Sequence, residues 1–224
     1  YTDEEWQEIE ARHHIHELGK VCNICPDYAT TIRCGFEARR VEILDSLRRH
    51  KVRGCSESEV FLEGLIRIID SIEALAHRYA EKAQEEGNCQ AAEVLQRVPR
   101  YGARTFLEAL QFFRILHFTL WCSGNYHNTV GRFDQYMFPY LREDLESGHL
   151  TDDEAFELVE EFFLTFNRDS DLYPGIQQGD NGQSLVLGGI DREGNDAYNI
   201  LSEMCLKASM ELKVIDPKIN LRVH

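Results

Sequence analysis

Apolar residues recur three and four positions apart over most of this chain, and that spacing predicts helices. Between Ser56 and Ala83 the positions Phe61, Leu65, Ile68, Ile69, Ile72, Ala76, Tyr79 and Ala83 follow it. Ser56-Glu57-Ser58-Glu59 has the form of a capping box, and Gly87-Asn88 ends the segment. Residues 3 to 17 carry one apolar stripe (Trp6, Ile9, Ile15). Tyr28 to His50 is helical in spacing with a break near Gly35, and Cys89 to Arg100 is a further helix stopped near Pro99.

The pattern changes at Leu107–Cys122, which a second capping box, Thr105 to Glu108, opens. Here apolar side chains point nearly all round, as in a helix enclosed by other elements. Gln111, Arg114 and His117 are the polar exceptions, three apart and so on one face. They suit a polar strip facing a cavity, or equally an ion pair and a hydrogen-bonded core histidine. A third capped helix runs from Thr151 to Phe166, with Phe156, Leu158, Val159, Phe162, Phe163 and Phe166 inward.

Past Phe166 the period switches. Asn167 to Gln183 is a polar loop, and loops of that length are functional or disordered. Strands are predicted at Ser184–Gly189 and Ile219–Val223, separated by a turn at Gly194-Asn195 and a helix over Ala197–Lys213. Strand–helix–strand at this length implies a right-handed parallel unit. A parallel sheet is buried on both faces, so the remaining strands must come from further sequence or another chain.

Composition narrows the function. The formal net charge is −15 and no lysine- or arginine-rich block is present, which counts against nucleic acid or an anionic membrane as partner. No window approaches the 18 uncharged apolar residues of a membrane-spanning helix. No signal-peptide pattern is present, and a first residue of Tyr1 reads as a trimmed chain. Seven cysteines, an odd number without framework spacing, fit a reducing cytoplasm. Cys22-x-x-Cys25 lies close to His13, His14 and His16, residue types that hold zinc. No second pair completes a tetrahedral set, so buried thiols beside a histidine cluster explain the same residues. A Gly-rich phosphate loop and a nucleophile elbow are absent.

Gly131 to Leu145 sets glycine, arginine and aspartate beside Phe133, Tyr136, Phe138 and Tyr140 around Pro139. An arginine–aspartate pair among bulky rings is a partly buried anchor whose charges need pairing. The block Gly131-Arg132-Phe133-Asp134-Gln135-Tyr136 with Pro139-Tyr140 and Asp144-Leu145 resembles the GR-DQY--PYY--DL segment of the glycyl radical enzymes, the pyruvate formate-lyase-like family. Thr105 to Gln111 resembles its tF-EALQ helix, Gln183 to Gly189 its Q---LGG strand, Asp196 to Ser202 its D--N-LS helix start, and Pro217 to Arg222 its P-L--R. Pro26-Asp27-Tyr28 and Gly35 look like PDY--VL--G. Several such pieces in order, over about residues 19 to 224, form a specific signal. The lyase and dehydratase branch is the nearer one.

The resemblance implies a mostly helical chain with a few parallel strands, part of a ten-stranded α/β barrel of the glycyl radical enzyme type. Residues 1–224 would be a single incomplete domain: 1–168 mainly helical, and 184–224 the first barrel strand–helix–strand unit. It implies a glycyl radical that generates a thiyl radical on a cysteine, which abstracts hydrogen from a small polar substrate. A radical S-adenosylmethionine activating enzyme, a homodimer and an anaerobic cytoplasm go with it. The family's catalytic cysteine, in a Gly-Cys-x-Glu-like loop, follows the P-L--R strand, and its radical glycine is C-terminal. No cysteine follows that strand in these 224 residues and no such glycine segment is present, so no catalytic residue, bound cofactor or metal ligand is assigned, and the chain alone is expected to be inactive. The segment between Gly87 and Thr105 is shorter than the family's. Cys22-Asn23 stands where the family often has Gly-His, which puts a usual polar contact in doubt.

By this analogy Gln177, Gln178 and Gln183 and the Cys22–Asp27 segment would line the substrate, with His16, Asn23 and His117 as further contacts. Arg132, Asp134 and Gln135 would be structural, tying the buried helix to the barrel wall. The competing readings are a non-enzymatic scaffold that has kept the fold, and a zinc-stabilised helical domain using His13, His16, Cys22 and Cys25.

Overall fold

A computed structural model describes residues 2–12, 20–21, 24–54, 56–123, 125–168 and 182–223. The helices are α1 (Asp3–Ala11), α2 (Tyr28–Arg53), α3 (Ser56–Glu85), α4 (Cys89–Arg97), α5 (Phe106–Cys122), α6 (Phe133–Tyr136), α7 (Phe138–Glu146), α8 (Asp152–Phe166) and α9 (Ile200–Leu212). The strands are β1 (Lys20–Val21), β2 (Asn125–Tyr126), β3 (Ser184–Gly188) and β4 (Lys218–Arg222). The chain is mostly helical with a small parallel sheet content, and it divides into two compact units.

One unit, Asp27–Thr119 with Tyr136–Asp152, is built of helices. The break foreseen near Gly35 is a kink inside α2, where φ is +80°. The Pro99 and Arg100 carbonyls accept from the amides of Phe36 (3.0 Å) and Glu37 (2.9 Å). A Cβ on Gly35 would stand 2.5 Å from the Tyr101 carbonyl carbon, so the crossing needs glycine. The core gathers Tyr28, Ile32, Phe106, Phe112, Phe113 and Leu141, each nearly or fully buried. Such side chains contribute about 1.5–3 kcal/mol apiece by leaving water. At the head of α5, Thr105 Oγ1 accepts from the Glu108 amide (3.2 Å), one half of the predicted capping box. The Glu108 carboxylate turns instead to the Arg104 amide (2.7 Å) and guanidinium (2.7 Å), while buried Asp144 accepts from the Phe106 amide (2.7 Å). A charged partner outcompetes a neutral backbone amide.

The other unit, Tyr1–Pro26, Leu120–Gln135 and Asp153–His224, carries the strands. β3 pairs in parallel with β4 from Ser184↔Lys218 to Gly188↔Arg222, and α9 connects them. On its other side β3 is flanked by Gly131, bridged in parallel to Leu185. β1 and β2 form a separate short parallel pair that hydrophobic spacing did not reveal. Leu185, Leu187, Leu201, Ala208, Phe133, Phe162, Phe163 and Phe166 are buried in this unit, with Phe133 stacked on Phe162 and Phe162 edge-on to Phe166. The helix predicted over Ala197–Lys213 begins later, at Ile200. Asn199 caps it by accepting from the Leu201 (2.9 Å) and Ser202 (3.3 Å) amides, which leaves Ala197 outside.

Candidate functional site

Three stretches of the strand-bearing unit meet beside β3. The Thr129 amide and hydroxyl both donate to the Ile24 carbonyl, at 2.8 and 3.0 Å. Val130 donates to Ser184 at 2.8 Å, and Val186 to Gly131 at 2.8 Å. The chain therefore runs Ile24–Pro26, then His127–Gly131, then Gly182–Leu185, side by side. Two glycines allow the approach. Gly131, at φ +71°, lies so near Cys25 that an added Cβ would stand 2.5 Å from its Sγ. Gly182, at φ +64°, faces the His127 ring closely enough that any Cβ would overlap it.

His127 has φ 63°, a left-handed conformation that a non-glycine residue adopts at a cost and that clusters at functional sites. Asn128 beside it is fully buried, and a buried amide must be hydrogen-bonded to be tolerated. Sequence reasoning passed over both residues. A histidine and an asparagine placed directly before the Gly131 block were the available signal.

Gln183 sits behind this wall, fully buried. Its Nε2 donates to the Phe166 carbonyl (2.9 Å) and to Asp216 Oδ2 (3.0 Å), and its own carbonyl accepts from the Lys218 amide (3.1 Å). His117 belongs to the helical unit. It is fully buried, 2.8 Å from the Tyr28 hydroxyl through Nδ1 and stacked on Phe113. His16, Asn23, Gln177 and Gln178 lie outside the described residues, as do His13, His14 and Cys22 of the zinc alternative.

Arg132, Asp134 and Gln135 come together at the far end of β3. Arg132 Nη2 donates to the carbonyls of Gly188 and Ile190, both at 3.0 Å. Asp134, fully buried, accepts through Oδ2 from the Gly188 amide (2.7 Å) and the Ser202 hydroxyl (2.6 Å). Gln135 Nε2 donates to the Ala197 carbonyl (2.8 Å), and Asn199 Nδ2 to the Asp134 carbonyl (3.1 Å). The sequence reading set one end of this tie on Leu107–Cys122; its hydrogen bonds instead join the end of β3 to the start of α9. Burial, with the nearby charge of Asp134, pushes the Cys205 thiol well above its ordinary range and keeps it protonated.

Among the described residues no group of three or more histidine, cysteine or acidic side chains is arranged to hold a metal. No described helix is long and apolar enough to cross a membrane. What the arrangement offers is a close-packed wall: a cysteine, a histidine and a buried asparagine held by backbone hydrogen bonds, with a rigid strand–helix junction beyond.

Comparison with known proteins places this geometry. The chain is 30% identical over 174 residues to a (2S)-3-sulfopropanediol dehydratase of Klebsiella oxytoca, covering 73% of this chain and 21% of the relative. It is 30% identical over 225 residues to an isethionate sulfite-lyase of Nitratidesulfovibrio vulgaris, covering 88% and 27%. Among solved structures, one describing 1,2-propanediol dehydration in Roseburia inulinivorans superposes with a TM-score of 0.79 at 27% identity, covering 93% of this chain and 28% of that one. The chain thus spans about a quarter of the length of the proteins it matches. The model of one family, described as pyruvate formate lyase-like, matches residues 1–224. The GR-DQY block, the β3–α9 junction it clamps and this match over the whole length agree: the chain belongs to the pyruvate formate lyase-like family.

Proposed function

We propose that these residues form part of the wall enclosing the substrate in a glycyl radical lyase or dehydratase that acts on a small polar metabolite. The observation that carries this is the meeting of Ile24–Pro26, His127–Gly131 and Gly182–Leu185 along β3, in a chain whose relatives are dehydratases and lyases. In such an enzyme a thiyl radical on a cysteine takes a hydrogen atom from a substrate C–H bond, which leaves a thiol and a carbon radical that rearranges or eliminates. Two demands fall on the wall. It must keep water and oxygen from the radical, and it must present one C–H to the sulfur. Close-packed glycine contacts serve the first demand, and Asn128, His127 and the polar side chains named below serve the second.

In this reading the substrate is lined by the Cys22–Asp27 segment, with Asn23 and His16, and by Gln177 and Gln178 on the loop before β3. Gln183 holds the wall from behind, and His117, a further contact in this reading, is packed against Tyr28 and Phe113 within the helical unit. The hydrogen-abstracting cysteine and the radical glycine would be supplied outside these 224 residues: the one Gly-Cys-x-Glu in them, Gly54-Cys55-Ser56-Glu57, lies far before the Pro217–Arg222 segment rather than after it, and Arg-Val-x-Gly-Tyr does not occur. β3, α9 and β4 would open a ten-stranded barrel, and the residues would form one incomplete domain. A radical S-adenosylmethionine activase, a homodimer and an anaerobic cytoplasm complete the proposal.

The test is anaerobic activation of the full-length protein by such an activase, read by electron paramagnetic resonance. A glycyl radical doublet is expected, followed by turnover of one member of a panel starting with isethionate, (2S)-3-sulfopropanediol and 1,2-propanediol. A full-length protein that never yields the doublet under conditions that activate a relative overturns the reading.

A further inference from the structure

We propose that Asp216 is a positioning residue for the His127–Gly131 wall, acting through Gln183. The inference rests on that wall lining the pocket, as proposed above. Asp216 is 1% exposed, and a carboxylate out of water is costly unless its hydrogen bonds are strong and directional. It accepts the Gln183 amide at 3.0 Å through Oδ2, while its backbone carbonyl accepts Asn167 Nδ2 at 3.0 Å. The same Gln183 nitrogen reaches the Phe166 carbonyl at 2.9 Å, and the Gln183 carbonyl takes the Lys218 amide at 3.1 Å. The last turn of α8, the entry to β3 and the entry to β4 therefore converge on one buried carboxylate–amide pair.

The neighbours of Gln183 make this more than a fold staple. Gly182, on one side, approaches the His127 ring so closely that an added Cβ would stand 2.1 Å from its Cδ2. Ser184, on the other, accepts the Val130 amide at 2.8 Å and the Gly131 amide at 3.3 Å. Fixing the Gln183 side chain fixes both contacts, and with them the left-handed backbone of His127. Apolar side chains of similar volume could join α8 to the strands at no greater cost. They would not fix direction, and a slide along the strand would take Gly182 off the ring. A buried polar pair is the arrangement that sets register here.

The test labels histidine at 13Cε1 in the full-length protein and follows the His127 signal, assigned by its loss in His127→Gln. Asp216→Ala and Gln183→Met should each move that signal by more than its line width in the same direction. The double variant should move it no further than the larger single change, because the two residues act as one unit. An unmoved signal in a folded Asp216→Ala protein overturns the proposal, and so do shifts that add. If Asp216→Ala does not fold, Asp216→Asn replaces it, since its carboxamide oxygen still accepts from Gln183. It should leave the signal in place while Gln183→Met moves it, and equal displacement by both overturns the proposal. None of these readouts needs a substrate. A wall whose His127 signal answers to Asp216 but not to added isethionate or 1,2-propanediol keeps this assignment and sinks the pocket reading.

Discussion

Asp134 is a buried carboxylate that serves three donors: it accepts the Gly188 amide and the Ser202 hydroxyl, and its backbone carbonyl takes Asn199. Truncation leaves two buried donors without an acceptor where β3 gives way to α9. Asp134→Ala should therefore cost about 3 kcal/mol in urea unfolding. Gly131 shows the opposite constraint, a position where nothing larger than hydrogen fits. A methyl group there meets Cys25 Sγ at 2.5 Å on a backbone of positive φ. Gly131→Ala should cost about 2–4 kcal/mol, and adding Cys25→Ala should recover the steric part but not the conformational part. If the double variant is as unstable as the single one, the clash is not the cause.

At the level of elements, α5 shows how a charged network can take over a cap. Glu108 is almost fully buried at the first turn. Burial by itself would raise its carboxyl pKa. Hydrogen bonds from the Arg104 side chain and amide, with the charges of Arg104 and Arg97, hold it below the ordinary 4.5. A carboxyl whose folded-state pKa is depressed contributes stability that is fully present above its unfolded-state value. That contribution is lost as pH falls through the folded-state value. The melting temperature should thus fall as pH drops below about 4.5, and Glu108→Gln should flatten that fall while lowering stability at neutral pH. An unchanged acid slope in the variant would place the pH dependence elsewhere.

For the molecule as a whole, the sheet is the telling feature. β3 is covered on both edges, by Gly131 and by β4. Among the described residues β4 pairs with β3 on one edge only, and Leu221 on it and Val223 just past its end are exposed. An open apolar edge is a template for further pairing. The 224-residue chain expressed alone should self-associate with concentration in sedimentation experiments, and Leu221→Lys should suppress this without changing the β3–α9 core. A chain that stays monomeric at every concentration would show the edge to be harmless.

What the sequence determined by itself follows from local physics. The 3.6-residue period marked the helices α2 to α5 and α8, and the glycine break fell at Gly35, because side-chain spacing along a helix is written in neighbouring residues. The parallel β3–α9–β4 unit was legible for the same reason. Tertiary structure alone decided the rest. The left-handed turn at His127 sets its ring against Gly182, a residue distant in sequence that spacing along the chain does not bring to it. The Gln183 side chain is held by Asp216 and Phe166, which nothing in the residue order brings to it. Ala197–Asn199 stayed out of α9 because their polar groups answered to Gly189, Gln135 and Asp134 first. Periodicity reports which side of an element is buried; the partners waiting there are chosen by the fold.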